Sequence, residues 1–171
     1  MKALLVIDML ADFIDKEGAL YVGPEGEKII PFIQQKMQEF RQEKAPVIFI
    51  CDHHEKDDSE FAMFPPHCIA GTQGSNIIAE LAVESDDKIV RKRRYSAFFG
   101  TDLDITLREQ GVDELYLVGV CTNICVLYTA ADARNLGYKV TIFRDGVASF
   151  DSAAHDFALQ EVEKTLGCQV I

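Results

Sequence analysis

Cys125 stands in the stretch Gly-Val-Cys-Thr-Asn-Ile-Cys-Val-Leu-Tyr-Thr-Ala (119–130), where an apolar run, Leu115 to Val118, passes through a glycine into a segment of helical composition. A thiol at such a strand-to-helix turn is a candidate nucleophile. An N-cap at Thr122 or Asn123 and a stop at Gly137 put Cys125 in the first turn of the expected helix. There the helix dipole and unpaired amides favour a thiolate and can hold a developing oxyanion. A cysteine also packs well as a small buried apolar side chain, so the residues at other strand ends must decide its role. A cysteine nucleophile needs a base, oxyanion donors and a charge that orients the base. Asp8 follows the apolar run Ala3–Ile7 and suits the base, although aspartate there also suits a turn. Lys92 follows Lys88–Val90 and suits the charge, although the basic run 91–94 also suits a solvated face.

A second constellation follows the run Val47–Ile50. Asp52 and His54 are two residues apart on an extended segment, so their side chains point the same way. His67 comes after Pro65-Pro66, and Glu60 lies in the intervening loop. A mixed carboxylate and imidazole set suits zinc, manganese or iron. A rival set, Cys51, His53, His67 and Cys68, lacks the paired short spacings of a structural zinc site.

These residues need a scaffold that brings strand ends together. Six apolar runs read as strands: Ala3–Ile7, Val47–Ile50, Lys88–Val90, Leu115–Val118, Val140–Phe143 and Cys168–Ile171. Between them Lys28–Glu43, Ser75–Leu81, Asp102–Glu109, Asn123–Leu136 and Ala153–Leu166 read as helices. Apolar strands alternating with helices imply an α/β protein of three layers, a mostly parallel six-stranded sheet of Rossmann-like order covered on both faces. Ligands bind such sheets beyond the carboxyl ends of the strands, where strand order reverses. Asp8, Asp52, Lys92 and Cys125 all fall at such ends. The long irregular stretch from His54 to Gly74 leaves from one of them, and loops of that length usually serve function.

With 171 residues, 48% of them hydrophobic and 26% charged, the chain is the size of a single globular domain, 1–171. A net charge of −11 argues against nucleic acid and anionic membranes as partners. Asp8 and Asp12 interrupt the N-terminal apolar run too early for a signal peptide, so a cytoplasmic location is expected. The five cysteines, without a disulfide framework, fit a reducing compartment.

Ile-Asp-Met-Leu-Ala-Asp-Phe (7–13), Lys-Arg-Arg-Tyr-Ser-Ala-Phe-Phe-Gly-Thr-Asp-Leu (92–103) and the Cys125 stretch together resemble the isochorismatase-like cysteine hydrolase family, over almost the whole chain. The resemblance implies an Asp8-Lys92-Cys125 triad, a cis peptide before Cys121, and an oxyanion hole made by the amides of Cys121 and Cys125. Asp52-x-His54 with Phe-Pro-Pro-His-Cys-Ile-Ala-Gly-Thr (64–72) is similar to the metal motif of the nicotinamidase branch. That similarity implies one divalent ion, zinc first and manganese or iron otherwise, on Asp52, His54, Glu60 and His67. Phe13, Phe64 and Tyr95 match positions lining the ring pocket of the family. The implied activity is hydrolysis of nicotinamide to nicotinate and ammonia through a thioester, serving NAD salvage, with pyrazinamide as an analogue. A homo-oligomer, dimer or tetramer, is likewise implied. Two alternatives remain at this point: an amidase of the family acting on another small amide, and a catalytically silent α/β binding protein.

Overall fold

The computed structural model describes all 171 residues. Six strands form one sheet: β1 (Lys2–Ile7), β2 (Val47–Asp52), β3 (Lys88–Lys92), β4 (Glu114–Val120), β5 (Lys139–Ala148) and β6 (Gln169–Val170). Their order is β3-β2-β1-β4-β5-β6, and every pairing is parallel. The expected three-layer α/β architecture with Rossmann-like order is therefore present. No helix is long and apolar enough to cross a membrane.

Parallel strands need covered faces, and the sequence supplies two. Along β1 the residues Ala3, Leu5 and Ile7 enter one core, while Leu4 and Val6 enter the other, as the two-residue period of a strand dictates. All five are fully buried. The first core is closed by α4 (Leu103–Glu109), α5 (Leu127–Asn135) and α6 (Ser152–Lys164), through Leu103, Leu107, Ala130, Ala133, Leu159 and Val162. The second is closed by α1 (Ala11–Ile14) and α3 (Ile30–Gln42), joined through the short α2 (Pro24–Lys28). Each Leu, Ile or Phe taken fully out of water contributes about 1.5–3 kcal/mol.

Two expectations about helices are corrected. Ser75–Leu81 is not a helix: a 3-10 turn at Gln73–Ser75 gives way to extended chain, where Ile77 bridges Leu10 antiparallel. Ile78 and Leu81, whose spacing matches a helical face, are instead buried in the second core. Nor does a side-chain-capped α-helix open at Thr122 or Asn123. Thr122–Val126 winds as a π-turn behind an extended Cys121, with no side-chain cap, and α5 begins only at Leu127. Gly137, at φ 90°, does follow the end of that helix.

Sheet closure at the centre depends on Gly119. Its φ is 116°, and a Cβ there would lie 2.0 Å from the carbonyl oxygen of Ile7 on the paired strand. Gly119→Ala is expected to destabilise the protein by about 3 kcal/mol or more, because strain and a backbone collision combine. Urea denaturation would check this; an unchanged midpoint would show that β1 and β4 can part without penalty.

Candidate active site

Strand order runs down from β3 to β1 and then up from β4, so the switch point lies between β1 and β4. Asp8 leaves β1 there with φ 51°, its amide held by the carbonyl of Ile50 at 2.8 Å. Asp52 ends β2 and pairs in register with Lys92, which ends β3. Cys125 lies in the π-turn after β4. Asp8, Asp52, Lys92 and Cys125 are all buried.

Lys92 Nζ is the hub. It hydrogen-bonds Asp52 Oδ1, lies 2.9 Å from Asp8 Oδ2 and sits 3.4 Å from Cys125 Sγ. Asp8 Oδ1 accepts a hydrogen bond from the Asp52 amide at 2.8 Å. Asp8 Oδ2, although ion-paired with the ammonium, receives no directed hydrogen bond. A carboxylate oxygen of Asp8, one of Asp52 and the Cys125 sulfur all lie within 4.8 Å of one another.

One ammonium serves two buried carboxylates, and their acidities diverge. Burial and the charge of Asp52 raise Asp8 to about 6, against the pull of Lys92. Asp52 is held well below the usual carboxylate range, its burial being outweighed chiefly by Lys92. Lys92 stays charged, because the two carboxylates overcome its burial. Burial pushes the Cys125 thiol well above its usual value, with Lys92 opposing and Asp8 and Asp52 adding to the rise. Burial and the two carboxylates thus work against the thiolate that a helix start favours, and Asp8 stands beside the thiol to take its proton.

The Val120–Cys121 peptide is cis, and the Cys121 amide makes no hydrogen bond to the protein backbone. It is one of the two amides to which the family resemblance assigns the oxyanion.

Beside this cluster lies the second. Asp52 Oδ2 is 3.5 Å from His54 Nε2 and 3.7 Å from His67 Nε2. Glu60 Oε1 is 3.9 Å from His54 Nε2, and burial with the Asp52 charge raises the Glu60 carboxyl. These gaps are too long for hydrogen bonds. They match a tetrahedral ion with ligands at 2.0–2.1 Å, whose donors stand about 3.4 Å apart. His54 Nε2 is buried with no hydrogen-bond partner. The opposite ring nitrogens are occupied: His54 Nδ1 faces Asp58 Oδ2 at 3.1 Å, and His67 Nδ1 donates to the Pro65 carbonyl at 2.8 Å. Asp52, His54 and His67 therefore fit a divalent ion, with Glu60 at the edge of the group. Cys51 and His53 instead line a separate groove with Arg91, so the rival ligand set does not assemble.

Between the two clusters is a pocket of about 350 Å³, its mouth included. Phe13, Phe64 and Tyr95 line it with Asp52, Glu60, His67, Cys121 and Cys125. Leu20, Ile124 and Phe150 complete the wall and escaped the sequence reading. Leu20 and Phe150 sit on loops with no patterned neighbours, and Ile124 is hidden in the π-turn. Asp58 and Arg94 were also missed as partners of this site. An Asp two residues before a turn amide, here that of Glu60, is a capping signal that marks Asp58 as ordered.

Residues 2–171 match the isochorismatase domain family model. The crystal structure of nicotinamidase PncA from Bacillus subtilis superposes with a TM-score of 0.94 at 40% identity, covering 99% of this chain and 98% of that one. Pyrazinamidase of Pyrococcus horikoshii in complex with zinc gives 0.93 at 34%, covering 99% and 98%. N-carbamoylsarcosine amidase from Thermoplasma acidophilum gives 0.90 at 34%, covering 99% and 94%. With this match over nearly its whole length, and with the strand order and strand-end residues described above, the chain belongs to the isochorismatase-like hydrolase family.

Proposed function

We propose that this chain, acting as one domain over 1–171, is a metal-dependent nicotinamidase that converts nicotinamide to nicotinate and ammonia. The observation that carries this reading is the shared Asp52. One carboxylate oxygen bonds Lys92 of the thiol cluster, and the other faces both histidines of the donor set, across a single aromatic-lined pocket. A flat ring bearing a basic nitrogen at one end and a carboxamide at the other suits that arrangement. Similarity to nicotinamidase PncA and to the zinc-containing pyrazinamidase supports it.

In the proposed mechanism Asp8 takes the Cys125 proton as the sulfur forms a bond to the amide carbon. The amides of Cys121 and Cys125 hold the oxyanion. Asp8 then returns its proton to the departing nitrogen, the C–N bond breaks and ammonia leaves a thioester. A water molecule, deprotonated by Asp8, attacks the thioester carbon; the C–S bond breaks and the thiol recovers the proton. Lys92 keeps both carboxylates in place and offsets the charge that moves between Cys125 and Asp8. Asp52, His54 and His67, with Glu60 nearby, would hold the ion. The ion supplies a Lewis-acidic anchor for the ring nitrogen. Phe13, Phe64 and Tyr95 enclose the ring and exclude water.

Zinc is the proposed ion, a cytoplasmic NAD-salvage role the proposed setting, pyrazinamide an analogue substrate, and a dimer or tetramer the proposed assembly. A second reading, a family amidase for another small amide, draws on the similarity to N-carbamoylsarcosine amidase. Ammonia release separates them. Nicotinamide is expected to be hydrolysed, and chelation to suppress the reaction until zinc is restored. Benzamide, lacking the ring nitrogen, is expected to react at least about a hundredfold more slowly. Equal rates for benzamide and nicotinamide, or full activity in protein free of metal by elemental analysis, would sink the proposal.

A further inference from the structure

Asp58 is a carboxylate with no exposed side-chain surface, set between the exposed residues Asp57 and Ser59. A buried charge persists only when its oxygens are fully engaged, and these are. Oδ1 accepts from the Glu60 amide at 3.0 Å and from Arg94 Nη1 at 3.0 Å. Oδ2 accepts from Arg94 Nη1 at 3.2 Å, stands 3.1 Å from His54 Nδ1, and has Arg93 Nε at 3.4 Å. An ionised carboxylate only accepts hydrogen bonds, so His54 Nδ1 must carry the proton. In the neutral imidazole that binds an ion, the bare nitrogen is then Nε2, the buried, unpartnered atom that faces Asp52 and Glu60. The other imidazole, His67, is oriented by a backbone carbonyl, which no side-chain change removes. Asp58 is therefore the one side chain that sets the tautomer of a donor in this group.

Arg94 reaches Asp58 from the segment that follows Lys92 and precedes Tyr95. Its guanidinium also lies 3.3 Å from Ser59 Oγ and 3.9 Å from Glu60 Oε2. The end of the strand carrying Lys92 is thereby clamped to the loop carrying Asp58 and Glu60. We propose that Asp58 and Arg94 form a positioning pair: Asp58 fixes the tautomer and tilt of His54, and Arg94 fixes Asp58, so that divalent-ion affinity depends on two residues that touch no ion. This inference rests on the metal reading above and adds the residues that govern its strength.

The test is zinc affinity by chelator competition, with the visible spectrum of the cobalt-substituted protein as a second readout. Asp58→Ala is expected to weaken zinc binding by about 10–100-fold and to alter the cobalt spectrum. Asp58→Asn, which keeps an acceptor for Nδ1–H, should recover part of the loss, and Arg94→Met should weaken binding severalfold. Alkylation of Cys125 in metal-free protein should proceed at one rate across the set, since the thiol cluster is unchanged. His54→Ala is the control for the metal reading itself. If wild type and His54→Ala bind zinc alike, that reading fails and the positioning pair falls with it. If His54→Ala loses zinc while Asp58→Ala keeps wild-type affinity and spectrum, the positioning pair alone is overturned. Should Asp58→Ala fail to fold by circular dichroism, Arg94→Met decides, and undiminished zinc affinity there overturns the inference.

Discussion

Cys125→Ala protein is expected to fold as the parent does and to release ammonia from nicotinamide at least about 10⁴-fold more slowly, because the attacking atom is gone. Binding and the two oxyanion amides survive the change, so the remaining rate is what positioning alone provides. The stability effect should be small. Cys125 is almost fully buried against the first core, and losing one sulfur leaves a void smaller than most large-to-small substitutions create. Thermal unfolding followed by circular dichroism, alongside the ammonia assay, reads both effects on one preparation. Near-native turnover by this variant would show that the thiol is a packing residue, and the proposed chemistry would be lost.

Lys92→Met carries the largest combined effect. The ammonium is buried between Asp8 and Asp52, so its removal leaves two buried carboxylates facing each other without a cation. Breaking a buried ion pair from one side typically destabilises by about 3–5 kcal/mol. Methionine replaces most of the side-chain volume, so the loss reports charge rather than a cavity. Turnover should fall with stability, because Asp8 would hold its proton and no longer accept one from Cys125. Arg91→Ala, one residue earlier on the same strand, changes an exposed side chain and should leave both quantities nearly unchanged. Urea midpoints and ammonia release for the two variants provide the comparison. Equal losses at positions 91 and 92 would mean that the basic run acts as a charged surface.

Periodicity made the sheet readable, because the central strands β1, β2 and β4 are runs of apolar residues bounded by turns. It also puts Asp8, Asp52, Lys92 and Cys125 at strand ends. What escaped it depends on contacts distant in sequence. Ile78 and Leu81 carry helical spacing, yet Leu10 pairs with Ile77 in extended form and the second core takes up Ile78 and Leu81 across a turn. The π-turn at Thr122–Val126 looks like an ordinary helix start in composition, and it packs between β4 and α6, elements distant from each other in sequence. The acidity of the thiol likewise depends on groups distant in sequence. A helix start near Cys125 suggested a thiolate, but desolvation by the surrounding fold and two carboxylates brought from β1 and β2 outweigh that local influence. Asp58 lay in view among Asp57 and Glu60, but its partner Arg94 is 36 residues away.

The central place of β1 in the sheet bears on how the chain acquires its shape. β1 spans residues 2–7, yet one of its two neighbours is β4, with Lys2 beside Glu114 and Ile7 beside Gly119. During synthesis the first strand to emerge must wait through more than a hundred residues for that partner, with apolar side chains meant for two cores still uncovered. Pairings so distant in sequence close slowly, since loop entropy is lost before the contacts form. Until β4 docks, the half-made sheet offers an open apolar edge of the kind that associates with other chains or recruits chaperones. Cys125, which follows β4, therefore meets Asp8, Asp52 and Lys92 only once that strand has docked beside β1.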